Sequence, residues 1–196
     1  MVPLPDVRAS LRAALDPEPA HRPSPGDRLA AVLAPLIETP ELSLVFTVRA
    51  GGLSRHAGEV SFPGGLQDPG ETLVETALRE AFEEIGLVAP DVEVLGALPP
   101  VHTSVSGILV VPFVGMLRAS PTFIVSDAEI AEVLTVPVSR LAAIEREVEY
   151  EFEGRGAWRG WAYELDRHTV WGATGRMLHT LLEVVRKETP WLPTEP

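Results

Sequence analysis

Residues 65–87 read GLQDPGETLVETALREAFEEIGL, and this stretch decides the fold. Thr72, followed three residues later by Glu75, forms a capping box, in which each side chain accepts the other residue's backbone N–H at the start of a helix. Gly86 provides the stop, because glycine readily adopts the left-handed conformation that ends helices. The pattern therefore predicts a helix over residues 72–85.

Three glutamates of this helix lie close together. At about 100° per residue, Glu80 and Glu84 are roughly 40° apart on the helical wheel, and Glu83 completes an arc of about 100°. Such like-charge spacing destabilises a helix by about 0.2–0.5 kcal/mol per pair. Either Arg79 and counterions neutralise a solvated acidic face, or a hard divalent cation such as Mg²⁺ binds these oxygens together with water and phosphate. We expect the apolar arc beside the glutamates to face the core; it contains Val74, Leu78, Ala81, Phe82 and Ile85.

The order and spacing of these residues resemble the Nudix box of the Nudix hydrolase superfamily. Ala81 departs from the pattern, since a larger aliphatic residue is usual there. The resemblance implies an α/β fold, a Nudix-type α/β/α sandwich around a mixed β-sheet. It also implies hydrolysis of a nucleoside diphosphate linked to another group, with Mg²⁺ or Mn²⁺ as cofactor. The matching positions are Gly65, Glu71, Arg79, Glu80, Glu83, Glu84, Ile85, Gly86 and Leu87.

The resemblance further implies roles for individual residues. Glu80 and Glu84 are the expected principal metal ligands, and Glu83 is a further ligand or a holder of bound water. Glu71 and Arg79 are expected to orient them, and a carbonyl of the Gly64–Gly65 turn could also reach the metal. The general base is open between Glu80 and a loop glutamate, Glu129 or Glu132, for which a solvated turn and edge is the other interpretation. The expected catalytic set is Glu80, Glu83, Arg79 and Glu129.

The preceding segment, residues 45–65, reads VFTVRAGGLSRHAGEVSFPGG and resembles the signature of the coenzyme A pyrophosphatase branch. Thr47, Arg49, Ala50, Gly58 and FPGG fit, whereas Ser54 stands where arginine is expected and Arg55 follows it. Val45 and Phe46 stand where leucines are typical.

Coenzyme A carries a 3′-phosphate and a diphosphate, so an acidic protein needs local positive charge to bind it. Arg49, Arg55 and His56 would provide that charge, with the Gly64–Gly65 turn beside the substrate. The resemblance implies hydrolysis of coenzyme A or its derivatives to 3′-phosphoadenosine 5′-phosphate and 4′-phosphopantetheine. The alternatives are a Nudix hydrolase for ADP-ribose or NADH, and a Nudix domain that senses a nucleotide without cleaving it.

The composition excludes several other classes. With 28 acidic and 16 basic residues, the formal charge is −12, which disfavours nonspecific nucleic-acid binding. The absence of cysteine excludes disulfides, thiolate catalysis, zinc ribbons and iron–sulfur clusters. Residues 107–117 are the longest apolar stretch, about half of what a membrane span requires. We expect a cytoplasmic protein with a small nucleotide substrate and no nucleic-acid or membrane partner, and a homodimer remains open.

The sequence predicts three parts: an N-terminal helix and proline-rich arm over residues 1–26, a Nudix hydrolase domain over 27–188, and a tail over 189–196. The first helix is predicted over residues 5–15. Residues 27–38 are apolar at helical intervals, which predicts a second helix. A closing amphipathic helix is predicted over residues 172–187. Strands are predicted over residues 42–48, 92–97, 108–117, 133–136 and 158–165.

Overall fold

The computed structural model describes residues 7–17, 19, 23–24, 26–38, 41–51, 58–103, 107–119, 121–126, 128–152 and 156–188. A single 3₁₀ turn, Ala89–Asp91, follows the second α-helix. In chain order the elements are α1 (Val7–Ala14), β1 (Arg28–Ile37), β2 (Ser43–Arg49), β3 (Val60–Ser61), β4 (Gly64–Leu66), α2 (Leu73–Ile85), β5 (Val92–Ala97), β6 (Val101–His102), β7 (Ile108–Leu117), β8 (Ile130–Pro137), α3 (Val138–Ile144), β9 (Glu145–Phe152), β10 (Gly156–Leu165), β11 (His168–Val170) and α4 (Gly172–Glu188).

Within the described ranges, eight strands form one mixed sheet. Its continuous path is β3-β2-β1-β7-β5, and β4 pairs with β1, β6 with β7 and β8 with β2. The central strands β1 and β7 are parallel, with Arg28 opposite Ile108 and Leu36 opposite Met116. A second, antiparallel sheet has the order β11-β10-β9.

Helices cover both faces of the mixed sheet. Alternate residues of β1 point to opposite faces, as strand geometry requires. Ala31 and Leu33 pack in one apolar cluster with α2. Ala30 and Ala34 pack in another with residues of α1, α3, α4 and the second sheet. The expected sandwich of helices around a mixed β-sheet is therefore confirmed.

The prediction of a helix over residues 27–38 is wrong, because this segment is strand β1. A central strand buried on both faces lacks a polar–apolar alternation, so its apolar run cannot be told from a helix by periodicity. Pro35 has no N–H to donate, and it is tolerated because one edge of β1 changes partner here: pairing with β4 ends at Val32 and pairing with β2 begins at Leu36. Leu33 fills that gap by donating to the Pro63 carbonyl at 2.9 Å.

Helix α2 has the predicted ends but not the predicted inward face. Thr72 and Glu75 form the capping box, and Gly86 ends the helix at φ 71°. Phe82, expected in the core, is 55% exposed, whereas Glu84 is only 3% exposed. Compared with the apolar arc expected from the wheel, the inward face is rotated by about a quarter of a turn, toward the glutamates. The buried residues of α2 are Leu73, Thr76, Ala77, Ala81, Glu84 and Ile85.

The remaining predicted strands and the closing helix are confirmed to within a few residues. The first helix is confirmed as α1, and its Val7 and Leu11 pack in the same cluster as α4. Asp16, just after the end of α1, exchanges two backbone hydrogen bonds with Ala97. These bonds attach the segment after α1 to β5. The division of the chain at residues 26/27 and 188/189 stays a prediction. None of the helices in the described ranges combines the length and hydropathy that a membrane span requires.

Candidate functional site

The turn before α2 lies directly against the carboxylates of the helix. A Cβ atom on Gly65 would lie 2.4 Å from Oε1 of Glu80, and one on Gly64 would lie 2.4 Å from the carbonyl oxygen of Ala31. The Gly64 backbone N–H donates to the carboxylate of Glu84. Glycine at position 65 therefore permits the approach of the backbone to Glu80, and glycine at position 64 permits its approach to β1.

Glu84 is a buried carboxyl group with an incomplete set of partners. Its Oε2 atom has no hydrogen-bond partner among the described residues. Burial, and then the neighbouring charge of Glu80, raises the pKa of Glu84 to about 8, and the charge of Arg49 opposes this rise. Burial also raises the pKa of Glu80, against the hydrogen bond from Arg79. Both carboxyl groups are thus held in a place that favours neutralisation of their charge.

Arg49 brings positive charge to the same place from the end of β2. Its Nε atom is buried and lacks a hydrogen-bond partner within the described ranges. The pairing of β2 with β8 shifts register here, with Val48 opposite Glu132 and Arg49 opposite Ile130. Such bulges redirect side chains and are common beside active sites.

Glu71 and Arg79 form a clamp behind the carboxylates. Arg79 Nε donates to Glu71 Oε1 at 2.7 Å and its Nη2 donates to the Leu66 carbonyl at 3.1 Å. Nη1 of Arg79 donates to Glu80 at 2.9 Å and to Glu83 at 3.1 Å. The bond from Arg79 is the largest cause that lowers the pKa of Glu71 to about 2, and the same bond raises the pKa of Arg79. The clamp therefore holds Oε1 of Glu80 in place.

The two loop glutamates differ in their surroundings. Glu129 is exposed, and its charge raises the pKa of both Glu80 and Glu84. Its backbone carbonyl accepts the Ala50 N–H at 2.8 Å. Glu132 instead accepts hydrogen bonds from Arg167 at 3.1 Å and pairs with His168 at 3.2 Å. The charge of Glu129 thus acts on the carboxylates of α2, whereas Glu132 is bonded to Arg167 and His168.

The carboxylate oxygens of this site can be compared with the ligands that a hard divalent cation requires. Glu80 and Glu84 converge, and the buried, unpartnered Oε2 of Glu84 is an oxygen that a cation would satisfy. Glu83 is 55% exposed and its carboxylate lies against Arg79. Over the residues described, no three acidic or histidine side chains are close enough to form a complete metal site. The residues fit a divalent ion that takes two carboxylates and otherwise water and phosphate.

Some predicted residues lie beyond the described ranges, and one structural partner was missed. Arg55 and His56, predicted to bind substrate, fall among the residues that the structure does not describe. Thr76, which the sequence did not single out, is fully buried and donates to Oε2 of Glu71 at 2.8 Å. The sequence did contain a signal for this role. Thr76 is a hydroxyl residue in the first turns of α2, one helical turn after the capping residue Thr72.

The chain is similar to known proteins both in sequence and in structure. Residues 27–152 match the family model described as NUDIX domain. The protein of Photorhabdus laumondii named uncharacterized Nudix hydrolase NudL is 38% identical over 172 residues, which cover 87% of this chain and 91% of the relative.

Two solved structures show the fold alone, because their sequence identities are low. A Nudix hydrolase from Nitrosomonas europaea has a TM-score of 0.55 at 15% identity and covers 90% of this chain and 78% of its own. The Nudix domain of Shewanella oneidensis NrtR, complexed with ADP ribose, has a TM-score of 0.54 at 16% identity and covers 83% and 88%.

Proposed function

This chain belongs to the Nudix hydrolase family, and on that premise we propose that it hydrolyses the pyrophosphate bond of coenzyme A or one of its derivatives. The products would be 3′-phosphoadenosine 5′-phosphate and 4′-phosphopantetheine or its acylated form. The family assignment itself gives a pyrophosphohydrolase that acts on nucleoside diphosphate derivatives with divalent metal ions. We assign the activity to residues 27–188 and the cofactor to Mg²⁺ or Mn²⁺.

The observation that carries the substrate proposal is Arg49. It occupies the arginine position of the coenzyme A signature, and its buried Nε has no hydrogen-bond partner among the described residues. Its charge acts on Glu84, so a phosphate bound by Arg49 would lie next to the carboxylates of α2. A guanidinium in this position suits a phosphate group, which it binds in a bidentate manner.

We assign each residue of the site a separate role in the reaction. Divalent ions at such a site screen the charge of the diphosphate and lower the pKa of a bound water. Glu80 and Glu84 would hold the ion, and Glu83 would turn from Arg79 to add an oxygen ligand or hold a water. The Gly64–Gly65 turn would lie beside the diphosphate, and Arg49 would orient its phosphate oxygens.

We assign the general base to Glu129. Its carboxylate is exposed to water and acts electrostatically on both Glu80 and Glu84. Three backbone hydrogen bonds hold its loop, because Ser126 donates to the Glu84 carbonyl and Glu129 is bonded to both Ser126 and Ala50. Glu129 is thus fixed near the place where a proton must leave the attacking water.

Glu129→Gln is expected to lower kcat by about a hundredfold, the usual size of a lost general base. Glu132→Gln, which makes the same charge change on the same segment, is expected to change kcat by less than about threefold because Glu132 is bonded to Arg167 and His168. The measurement is the pH dependence of kcat for both variants. Equal losses in the two variants would reject Glu129 as the base, and a mild effect of both would transfer the role to Glu80.

A substrate panel tests the proposed function. The protein is incubated with Mg²⁺ or Mn²⁺ and with coenzyme A, ADP-ribose or NADH, and the products are separated by chromatography. We expect kcat/KM for coenzyme A to exceed the other two by at least about tenfold. The Glu80→Gln protein, purified in parallel, excludes a contaminating hydrolase. A clear preference for ADP-ribose or NADH would overturn the substrate assignment, and nucleotide binding without cleavage would indicate a sensor.

A further inference from the structure

Thr76 lies beneath the clamp formed by Glu71 and Arg79. Its side chain is fully buried on the inward face of α2. The hydroxyl oxygen is 2.8 Å from Glu71 Oε2 and 3.2 Å from the carbonyl oxygen of Thr72. The carboxylate is the nearer and the charged acceptor, so the hydroxyl proton goes to Glu71.

Thr76 is the buried member of the group of donors that holds Glu71. Arg79 Nη2 and the Asp68 backbone N–H also donate to Glu71 Oε2, both at 3.2 Å. These two are longer bonds at the outer edge of the carboxylate, where water can replace a lost donor. Water cannot easily replace the Thr76 hydroxyl, because the residue has no exposed surface.

We propose that Thr76 is a positioning residue of the active site, acting through Glu71 and Arg79 on Glu80. The path consists of consecutive contacts: Thr76 hydroxyl to Glu71 at 2.8 Å, Arg79 Nε to Glu71 at 2.7 Å, and Arg79 Nη1 to Glu80 at 2.9 Å. Without the hydroxyl, Glu71 can rotate. The Arg79 guanidinium is then no longer held in its hydrogen bond to Glu80. The proposal rests on the proposed function insofar as Glu80 is placed in the catalytic machinery.

The test replaces Thr76 with valine, which keeps the shape of the side chain and removes the hydroxyl. We expect kcat to fall about three- to tenfold with KM unchanged, somewhat less than the usual effect of residues that orient metal ligands directly. We also expect the Arg79 Nε–H resonance in ¹⁵N-resolved NMR spectra to broaden through faster exchange with solvent. Thr76→Ser retains a hydroxyl and is expected to restore both readouts.

Thr180→Val is the matched control. Thr180 lies within α4, and its hydroxyl donates to the carbonyl of Arg176 at 3.1 Å, so it stands in the same place relative to the residue four earlier as the Thr76 hydroxyl does, 3.2 Å from the Thr72 carbonyl. It therefore measures the cost of removing a helical hydroxyl away from the clamp. If Thr76→Val does not fold, Thr76→Ala removes the same hydroxyl without placing a methyl group against Glu71.

An unchanged Arg79 resonance in Thr76→Val would overturn the proposal, whatever happens to kcat. A loss of kcat equal to that of Thr180→Val would overturn it as well. The Arg79 resonance requires no substrate. If the protein does not cleave coenzyme A, this measurement therefore still decides the role of Thr76.

Discussion

We expect Glu84→Gln to lower kcat by at least about a hundredfold. Loss of a proposed metal ligand should lower kcat at least as much as loss of a residue that only orients such a ligand. The amide removes the negative charge and keeps nearly the same volume. Its Oε1 can still accept the Gly64 N–H that the carboxylate accepts in the native protein. We expect the fold to persist and the Mg²⁺ affinity, measured by calorimetry, to fall in parallel with kcat.

Glu147→Gln, on the exposed surface of β9, makes the same change of charge away from the site and should leave kcat and affinity unaltered. Wild-type affinity in Glu84→Gln would mean that Glu84 is not a ligand. Its raised pKa would then reflect burial and the charge of Glu80 at a site that holds no metal.

The same variant changes the pH dependence of stability in the metal-free protein. The folded-state pKa of Glu84, about 8, lies above its ordinary value of 4.5, so the folded state binds more protons between these pH values. The free energy of unfolding of the wild type therefore falls as pH rises through this window, with a limiting slope of about 1.4 kcal/mol per pH unit. Glu84→Gln lacks this contribution, so its stability relative to the wild type increases toward pH 8.

Urea unfolding in EDTA at several pH values measures this difference. Saturating Mg²⁺ should reverse the trend for the wild type, because a cation favours the ionised carboxylate. Parallel pH profiles of the two proteins in EDTA would show that Glu84 does not titrate in this range.

The ends of α2 could be predicted from the sequence, but its orientation could not. Local signals sufficed for the ends, because the capping box and Gly86 act within one helical turn. The orientation depends on what lies beneath the helix. The absence of a side chain at Gly65 leaves space there for the Glu80 carboxylate, and with the glutamates on the inward side Phe82 faces solvent.

The candidate site shows the same division between local and distant contacts. The Nudix pattern grouped Glu71, Arg79, Glu80 and Glu84 because they lie close together in the sequence, on α2 or directly before its capping residue. The contrast between Glu129 and Glu132 could not be predicted, since it depends on a register shift between β2 and β8 and on a partner, His168, in another sheet.

Strand β9 was missed although its sequence carries a signal. In EREVEYEF, charged and apolar residues alternate from Glu147 to Phe152, which is the pattern of a half-buried strand. The strand pairs with β10 along its whole length. Its first residue, Glu145, is the anchor of a buried polar network that the composition of the strand does not reveal.

Glu145→Gln is expected to lower the free energy of unfolding by about 3–5 kcal/mol, the usual cost of breaking a buried ion pair. The Glu145 side chain is 1% exposed, and its Oε2 lies 2.6 Å from Nη1 of Arg186, which is 11% exposed. Its Oε1 accepts the Tyr163 hydroxyl at 2.6 Å and pairs with His179 Nδ1 at 3.0 Å. The amide removes the charge that lies 2.6 Å from Arg186 and directs an NH₂ group toward other donors.

Glu164→Gln is the matched control, because Glu164 pairs with Arg146 across the same two strands with both side chains more than half exposed. Its expected cost is less than about 1 kcal/mol, since exposed ion pairs contribute little. Urea unfolding of both variants measures the difference, and kcat at a temperature where Glu145→Gln is folded should match the wild type, because the network ties β9 and β10 to α4 and not to α2. Equal small losses would show that Arg186 finds another partner or water when Glu145 is neutral, and that burial at this position does not isolate the pair.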